Sequence, residues 1–397
     1  QRQMCIRDSI SCNEQRNKFK KEMKEEIKMK RAAAAAISLM TGLAMLTGCS
    51  RAEVEETIQP LVADAIEESD SEAEAVKEED ESPLIPEIDT DIKIHAGSRI
   101  AVVSKCVKGE YWKMVKKGME DAVKEINKAY GYKKDDQITM TFEGPDNEED
   151  VETQINTIDA VIAENPDVLC ISASDMDSCE AQLEAAKENG IPVIAFDSNV
   201  AEKKLVKAYR GTDNVQVGKM AAYQLGSALG KMGKVAVFSA QQKTKSVQDR
   251  VEGFMNNIGK YGDIEVVETI YSDQVDDMEA SMKEVLEKYP TLDGVFCTNA
   301  DITEMYLNLE KSDEHDAPAL VGVDATTKQQ EAIRNGEEIG CVSQQPYAMG
   351  YQTIWAAVET TAPKKSVVIE KNVLSNPAWI DADCLDDPDY SGYLYTE

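Results

Sequence analysis

Between residues 99 and 343 the chain alternates short apolar runs with segments whose apolar residues recur at helical spacing. The runs are Arg99–Ser104, Ile138–Phe142, Val168–Ser172, Ile191–Phe196, Lys234–Ser239, Ile264–Ile270, Gly294–Thr298, Ala319–Val323 and Glu338–Ser343. Each is too short for a helix, and most are too uniformly apolar for a strand with one wet face. Such strands belong in parallel sheets covered by helices on both sides. The intervening segments fit that role. The first carries Trp112, Val115, Met119, Val123 and Ile126 on one face, and Val151–Ile162 carries Ile155, Ile158 and Ile162. Further helices are expected at 179–187, 215–229, 246–258, 276–288, 302–310 and 327–335. Gly190, Gly230, Gly233, Gly259 and Gly336 stand where helices should stop or turn. The pattern restarts after Gly211, so two α/β units are expected, about 97–211 and 212–344. No glycine-rich dinucleotide loop follows any strand, and Gly226-Ser227 and Gly230-Lys231 lack phosphate-loop spacing.

The residues ahead of this region read differently. Lys28–Arg31 is basic, Ala32–Leu46 is mostly apolar, and Leu46-Thr47-Gly48-Cys49 follows. That order reads as a signal peptide over 23–48, too short for a comfortable membrane span. Residues 1–22, opening QRQMCIRDS, do not fit a leader and are expected to be a non-native extension. Residues 49–96 read as a flexible tether. From Ser50 to Ile92 sixteen acidic residues face only Arg51 and Lys77, which supplies −14 of the formal net charge of −31. Like charges at that density repel and bury little.

Charge and composition narrow the function. The chain has 43 Lys+Arg against 74 Asp+Glu, which argues against nucleic acid and against adsorption to an anionic membrane. His95 and His315 are the two histidines, and the nine cysteines form no CxxC. No multi-histidine metal site, iron–sulfur cluster or Ser-His-Asp triad is expected, and no cofactor. The cysteines are expected to stay mostly free thiols.

In open parallel sheets ligands bind beyond the carboxyl ends of the strands. The residues there are Lys105, Glu110, Tyr111 and Trp112 after the first strand and Glu143, Asp146 and Asn147 after the second. Ser174 and Asp175 follow the third, then Asp197, Ser198 and Asn199 the fourth. In the second unit they are Gln241 and Gln242, Ser272 and Asp273, Asn299 and Asp301, Asp324, and Gln344 and Gln345. Carboxylates and amides suit a polyhydroxylated small molecule, and aromatic rings pack on the C–H faces of a sugar. Asp175 and Asp301 serve equally well as caps or turns, and Trp112 as a core anchor. Asp197 and Asp324 share one placement, directly after an apolar strand.

Residues 97–360 resemble the type I periplasmic binding proteins of sugar ABC transporters, in the ribose-, galactose- and autoinducer-2-binding group. The likeness rests on KGEYWKMVKKGMEDAVKE, ENPDVLCISASDMDSCEAQLEAAKENGIPVIAFDSNV, GTDNVQVGKMAA, QDRVEGF, FCTNADI, VGVDA and VSQQPYAMG. The leader is similar to a bacterial lipobox, with lipidation at Cys49. The resemblance implies two Rossmann-like α/β lobes joined by a three-strand hinge, with a cleft between them. Lobe one would take 97–211 plus 345–372, and lobe two 212–344 plus 373–397. It implies ligand contacts from Tyr111, Trp112, Asp197, Ser198, Arg250, Asn299, Asp324 and Gln344, with Lys105, Glu110 and Asp175 as further candidates. Gly109-Glu110 replaces the family's Asn-Pro, Ser198 an arginine of ribose binders, and Ala300 an aspartate. The implied role is capture of a sugar or polyol by a monomer. It would be lipid-anchored outside the cytosol, on a Gram-positive surface in preference to a periplasm, and would deliver to an ABC permease and its ATPase. A sensor reporting to a membrane receptor or histidine kinase is the alternative, and a glycoside-acting enzyme a more distant one.

Overall fold

The computed structural model describes residues 85–309, 317–363 and 367–396. Cys49, the leader, most of the acidic segment and His315 lie outside them.

Two six-stranded sheets make up the α/β body. In the first, β1 (Arg99–Val103) pairs with β2 (Thr139–Glu143) and β3 (Val168–Ile171). The sheet continues through β4 (Val193–Phe196), β5 (Ala208–Thr212) and β11 (Asn372–Ser375). Its order is β11-β5-β4-β3-β1-β2, all parallel. In the second, β6 (Met232–Ser239) pairs with β7 (Asp263–Tyr271) and β8 (Gly294–Cys297). β9 (Ala319–Val323), β10 (Gly340–Ser343) and β12 (Ala378–Ile380) complete it. Only its edge strand β12 runs antiparallel. β3, β4, β8 and β10 are buried along their whole length, as parallel strands between two helical layers must be.

The helices are α1 (Glu110–Tyr130), α2 (Val151–Ala163), α3 (Glu180–Glu188), α4 (Asn214–Ala228), α5 (Lys245–Ile258), α6 (Met278–Lys288), α7 (Ala300–Leu307), α8 (Thr327–Asn335) and α9 (Pro346–Thr360). Apolar periodicity sets their buried faces. Trp112, Val115, Met119 and Ile126 of α1 pack with Ile354 and Val358 of α9. In the second lobe α4 crosses α5 at Gly218, where a Cβ would collide with the Arg250 carbonyl oxygen. Only glycine permits that approach, and it seats the helix that carries Arg250.

Three short passages join the lobes: Asp213 between β5 and α4, Gln344-Gln345 between β10 and α9, and Asn376-Pro377 between β11 and β12. Two boundaries differ from expectation. β11 holds the chain in the first sheet through Ser375, so 372 falls inside a strand and is not the crossing. At the other end, the expected tether through 96 is already docked from Ile88. Ile88, Ile92 and Ile94 interrupt the acidic run and pack on the first core, where the Tyr130 hydroxyl donates to the carbonyls of Asp89 and Ile92. None of the six described cysteines forms a disulfide.

Candidate functional site

The carboxyl ends of both sheets face one cavity of about 830 Å³. Its wall includes Lys105, Glu110, Tyr111, Trp112, Asp197, Arg250, Asn299, Asp324 and Gln344, all singled out from sequence. A smaller hollow of about 580 Å³ lies elsewhere, around Asp293, Leu307, Gly336 and Ile339, with no such convergence of polar groups.

Asp197 and Asp324 occupy equivalent positions. Each follows an apolar strand, β4 or β9, and each takes a left-handed backbone, φ 55° and 78°. Aspartate tolerates that conformation better than most residues. Both are buried. Asp197 accepts from the Tyr111 hydroxyl (2.6 Å, Oδ1) and the Ser172 hydroxyl (2.8 Å, Oδ2), and Lys105 Nζ lies 3.0 Å from Oδ2. Burial alone would raise its carboxyl. The Lys105 charge, the hydrogen bonds and the Arg250 charge outweigh burial and hold it below the ordinary value. For Lys105 burial works downward, and Asp197 and Glu148 reverse it, so its ammonium is held above the ordinary lysine value. Lys105 also lies 3.6 Å from Glu148 and 5.6 Å above the Trp112 ring.

On the opposite wall Asp324 accepts from Gln344 Nε2 (2.7 Å) and the Tyr395 hydroxyl (2.8 Å) through Oδ1. The Ala300 N–H reaches Oδ2 at 3.1 Å. Arg250 is buried, its Nε donating to Asn214 (2.8 Å) and a terminal nitrogen to the Thr298 carbonyl (2.7 Å). Asn299 caps α7 through the Ile302 N–H while also lining the cavity. The Trp112 indole N–H donates to Glu148 (2.8 Å), and its ring meets Tyr111 edge-on at 5.1 Å.

The lobes also touch one another. Glu110 accepts from the Thr327 N–H (2.8 Å), at the start of α8 in the other lobe. Gln241 donates to the Glu148 carbonyl (2.8 Å), Thr244 to the Ser174 carbonyl (2.6 Å), and the Met176 N–H to the Lys243 carbonyl (3.1 Å).

Ser198 and Asp175 do not line the cavity. The Ser198 hydroxyl accepts from the Ser246 N–H at 3.3 Å, a contact between lobes. Asp175 accepts from the N–H groups of Asp177 and Ser178 and lies 3.7 Å from Lys243, so it closes a turn. Two contributors escaped the sequence reading. Glu148 sits one residue beyond Asp146 and Asn147, inside a run of acids that masks it. Tyr395 lies beyond the acidic stretch that follows β12, in a segment with no helical or strand periodicity. Asp301 faces cleft solvent from within dense surroundings. Those surroundings, with Glu148, Glu304 and Asp324, push its carboxyl up to about 7. The lining is acidic on balance, ten carboxylates against four cationic side chains, which disfavours an anionic ligand.

Among the described residues no group of three His, Cys, Asp or Glu is placed to hold a metal ion. The fold and site define a two-lobed α/β protein with one polar, ligand-sized cavity at the carboxyl ends of its two sheets. The chain belongs to the periplasmic binding protein domain family, whose model matches residues 100–365. It is 26% identical over 220 residues to the ribose import binding protein of Bacillus subtilis, covering 55% of this chain and 71% of the relative. It is 21% identical over 289 residues to the D-allose-binding periplasmic protein of Escherichia coli, covering 70% and 88%. Among solved structures it resembles an ABC transporter solute-binding protein from Agrobacterium vitis with bound D-fucose. There the TM-score is 0.67 and the identity 26%, over 75% of this chain and all of that one. A carbohydrate transporter solute-binding protein from Agrobacterium radiobacter, in complex with D-arabinose, gives a TM-score of 0.65 at 25% identity, over 75% of this chain and 98% of that one.

Proposed function

We propose that the protein captures a neutral or amine-bearing sugar or polyol between its lobes and delivers it to an ABC permease and its ATPase. The observation that carries this reading is the pair of buried aspartates on opposite walls of one cavity, beside Trp112 and Tyr111. Carboxylates accept hydrogen bonds from ligand hydroxyls, and the indole face offers an apolar platform for C–H groups. Tyr111, Trp112 and Asp197 act from lobe one, Arg250, Asn299 and Asp324 from lobe two, and Gln344 at the crossing. Relatives named for ribose, D-allose and xylitol support the ligand class. The lobes close on the ligand, and the closed form is what the permease receives. The protein works outside the cytosol as a monomer, tethered through a lipid on Cys49 at a Gram-positive type of surface.

The test is a thermal-shift panel of pentoses, hexoses, polyols, hexosamines, sugar acids, nucleosides and amino acids on the purified protein. Tight binding to the folded state raises the melting temperature by mass action. A shift with a neutral sugar, polyol or hexosamine is the expected result. Shifts confined to sugar acids, nucleosides or amino acids would sink the ligand assignment. Mass-labelling of Cys49 with a diacylglycerol adduct tests the anchor separately.

A further inference from the structure

The two cavity aspartates are each turned by one tyrosine. Tyr111 donates to Asp197 Oδ1 and Tyr395 to Asp324 Oδ1. Tyr111 opens α1, whereas Tyr395 arrives from the segment after β12. The Tyr395 side chain is 1% exposed and does not line the cavity. Its backbone is pinned at both ends of the residue: its N–H donates to the Ala325 carbonyl (3.0 Å), and its carbonyl accepts from Gln330 Nε2 (2.8 Å). The two tyrosine rings meet at 5.9 Å.

The acceptor positions can be counted. A carboxylate oxygen has about two lone-pair sites. Among the described residues, Asp324 Oδ1 is filled by Gln344 and Tyr395, while Oδ2 holds only the Ala300 N–H. Asp197 Oδ2 is likewise filled by Lys105 and Ser172, while Oδ1 holds only Tyr111 among them. Each aspartate therefore keeps one acceptor site open.

We infer that Tyr395 is a positioning residue for ligand recognition: by filling Asp324 Oδ1 it leaves one defined acceptor, Oδ2, for a single ligand donor. Its contact with Tyr111 sets that acceptor relative to the open site on Asp197 across the cleft. The inference rests on the sugar-capture reading. A ligand hydroxyl of the wrong configuration then meets a fixed acceptor rather than one that can swing to follow it, so Tyr395 shapes the preference among epimers.

The experiment compares wild type with Tyr395→Phe, which keeps the ring packing and removes only the hydroxyl. Isothermal titration with D-ribose, D-arabinose, D-allose and xylitol gives four affinities for each protein. Thermal melting without ligand gives stability. The expected result is about a five- to twenty-fold loss of affinity for the best of the four, a part of the worth of one hydrogen bond to a charged group, because the bond lost lies within the protein and acts on the ligand only through Asp324. The spread of affinities across the four should narrow at the same time. A purely structural role would lower the melting temperature and weaken all four equally, or leave every affinity unchanged, and either outcome overturns the inference. Where wild type prefers other compounds of the thermal-shift panel, the four are replaced by its best ligand and three epimers, and if wild type binds no neutral sugar, polyol or hexosamine of that panel, the sugar reading falls and the inference falls with it. If wild type binds and the variant binds identically, only the inference falls.

Discussion

Replacing Lys105 by methionine tests the electrostatics of the cavity most directly. Lys105 Nζ lies 3.0 Å from Asp197 and 3.6 Å from Glu148, and both Lys105 and Asp197 are buried. With an effective dielectric of about 20, those separations correspond to roughly 5.5 and 4.6 kcal/mol of gross attraction. Desolvation of the ammonium offsets much of this. What remains is the cost of leaving a buried carboxylate without its counter-charge, about 3–5 kcal/mol. Lys105→Met should therefore lower the urea unfolding free energy by about that amount near neutral pH. The sign of the pH dependence follows from the two shifts. The depressed carboxyl of Asp197 stabilises the fold above the ordinary carboxylate range, and that contribution is lost as pH falls through its folded value. The raised ammonium of Lys105 stabilises below the ordinary lysine value and loses its contribution as pH rises through its folded value. In the variant Asp197 loses its main counter-charge and its carboxyl moves up. The deficit against wild type should then shrink as pH is lowered into the carboxylate range, because protonation of Asp197 relieves the unpaired charge. Urea denaturation from neutral to acidic pH reads both effects. A deficit below about 1 kcal/mol, or one that does not change with pH, would refute the reasoning.

Other outcomes follow from the same geometry. Arg250→Lys cannot span Asn214 and the Thr298 carbonyl together and should weaken sugar binding by about ten- to hundredfold in calorimetry, as expected for hydrogen bonds to a charged group; unchanged affinity would remove Arg250 from the site. Glu110→Ala deletes the contact between the start of α1 and the start of α8, so ligand should leave faster in stopped-flow displacement while the unfolding free energy changes little. Gly218→Ala forces α4 away from α5 and should cost about 1–3 kcal/mol in chemical unfolding. Among hexoses, a sugar acid should bind worse than its neutral parent because the cavity wall is acidic, and preference for the acid would reverse that reading.

Most strands that the sequence revealed are buried on both faces, because continuous apolar runs such as VLCI and VIAF leave little alternative, and the half-exposed edge strands β2 and β7 were legible from their recurring apolar residues. β5 (AYRGT), β11 (NVLS) and β12 (AWI) were not legible. They are short, β5 and β11 carry polar residues, and β11 and β12 lie at sheet edges, where one flank needs no apolar partner. In β5 the buried Arg210 is accommodated by the carbonyls of Tyr209 and Glu370, a long-range pairing that no local window shows. At the site, position relative to strand ends was enough to find Asp197, Asp324 and Gln344. It could not tell that Ser198, next to Asp197, turns its hydroxyl to Ser246 instead of the cavity. Nor could it show Tyr395, whose place depends on the chain returning after β12 to the end of β9. Local pattern reveals what a residue's own element requires, and long-range return paths must be seen in three dimensions.

The mirrored aspartates carry a consequence for discrimination. If the protein captures its ligand as proposed, each lobe owns half of a recognition surface, and neither half encloses a molecule alone. A compound that satisfies Asp197 but misfits Asp324 gains one half's interactions and also holds the halves apart, forfeiting the contacts that lie between the lobes. Errors at the two halves therefore compound, and a small chemical difference at one end of a ligand is read twice: once by the wall it touches and once by the failure of the other wall to arrive.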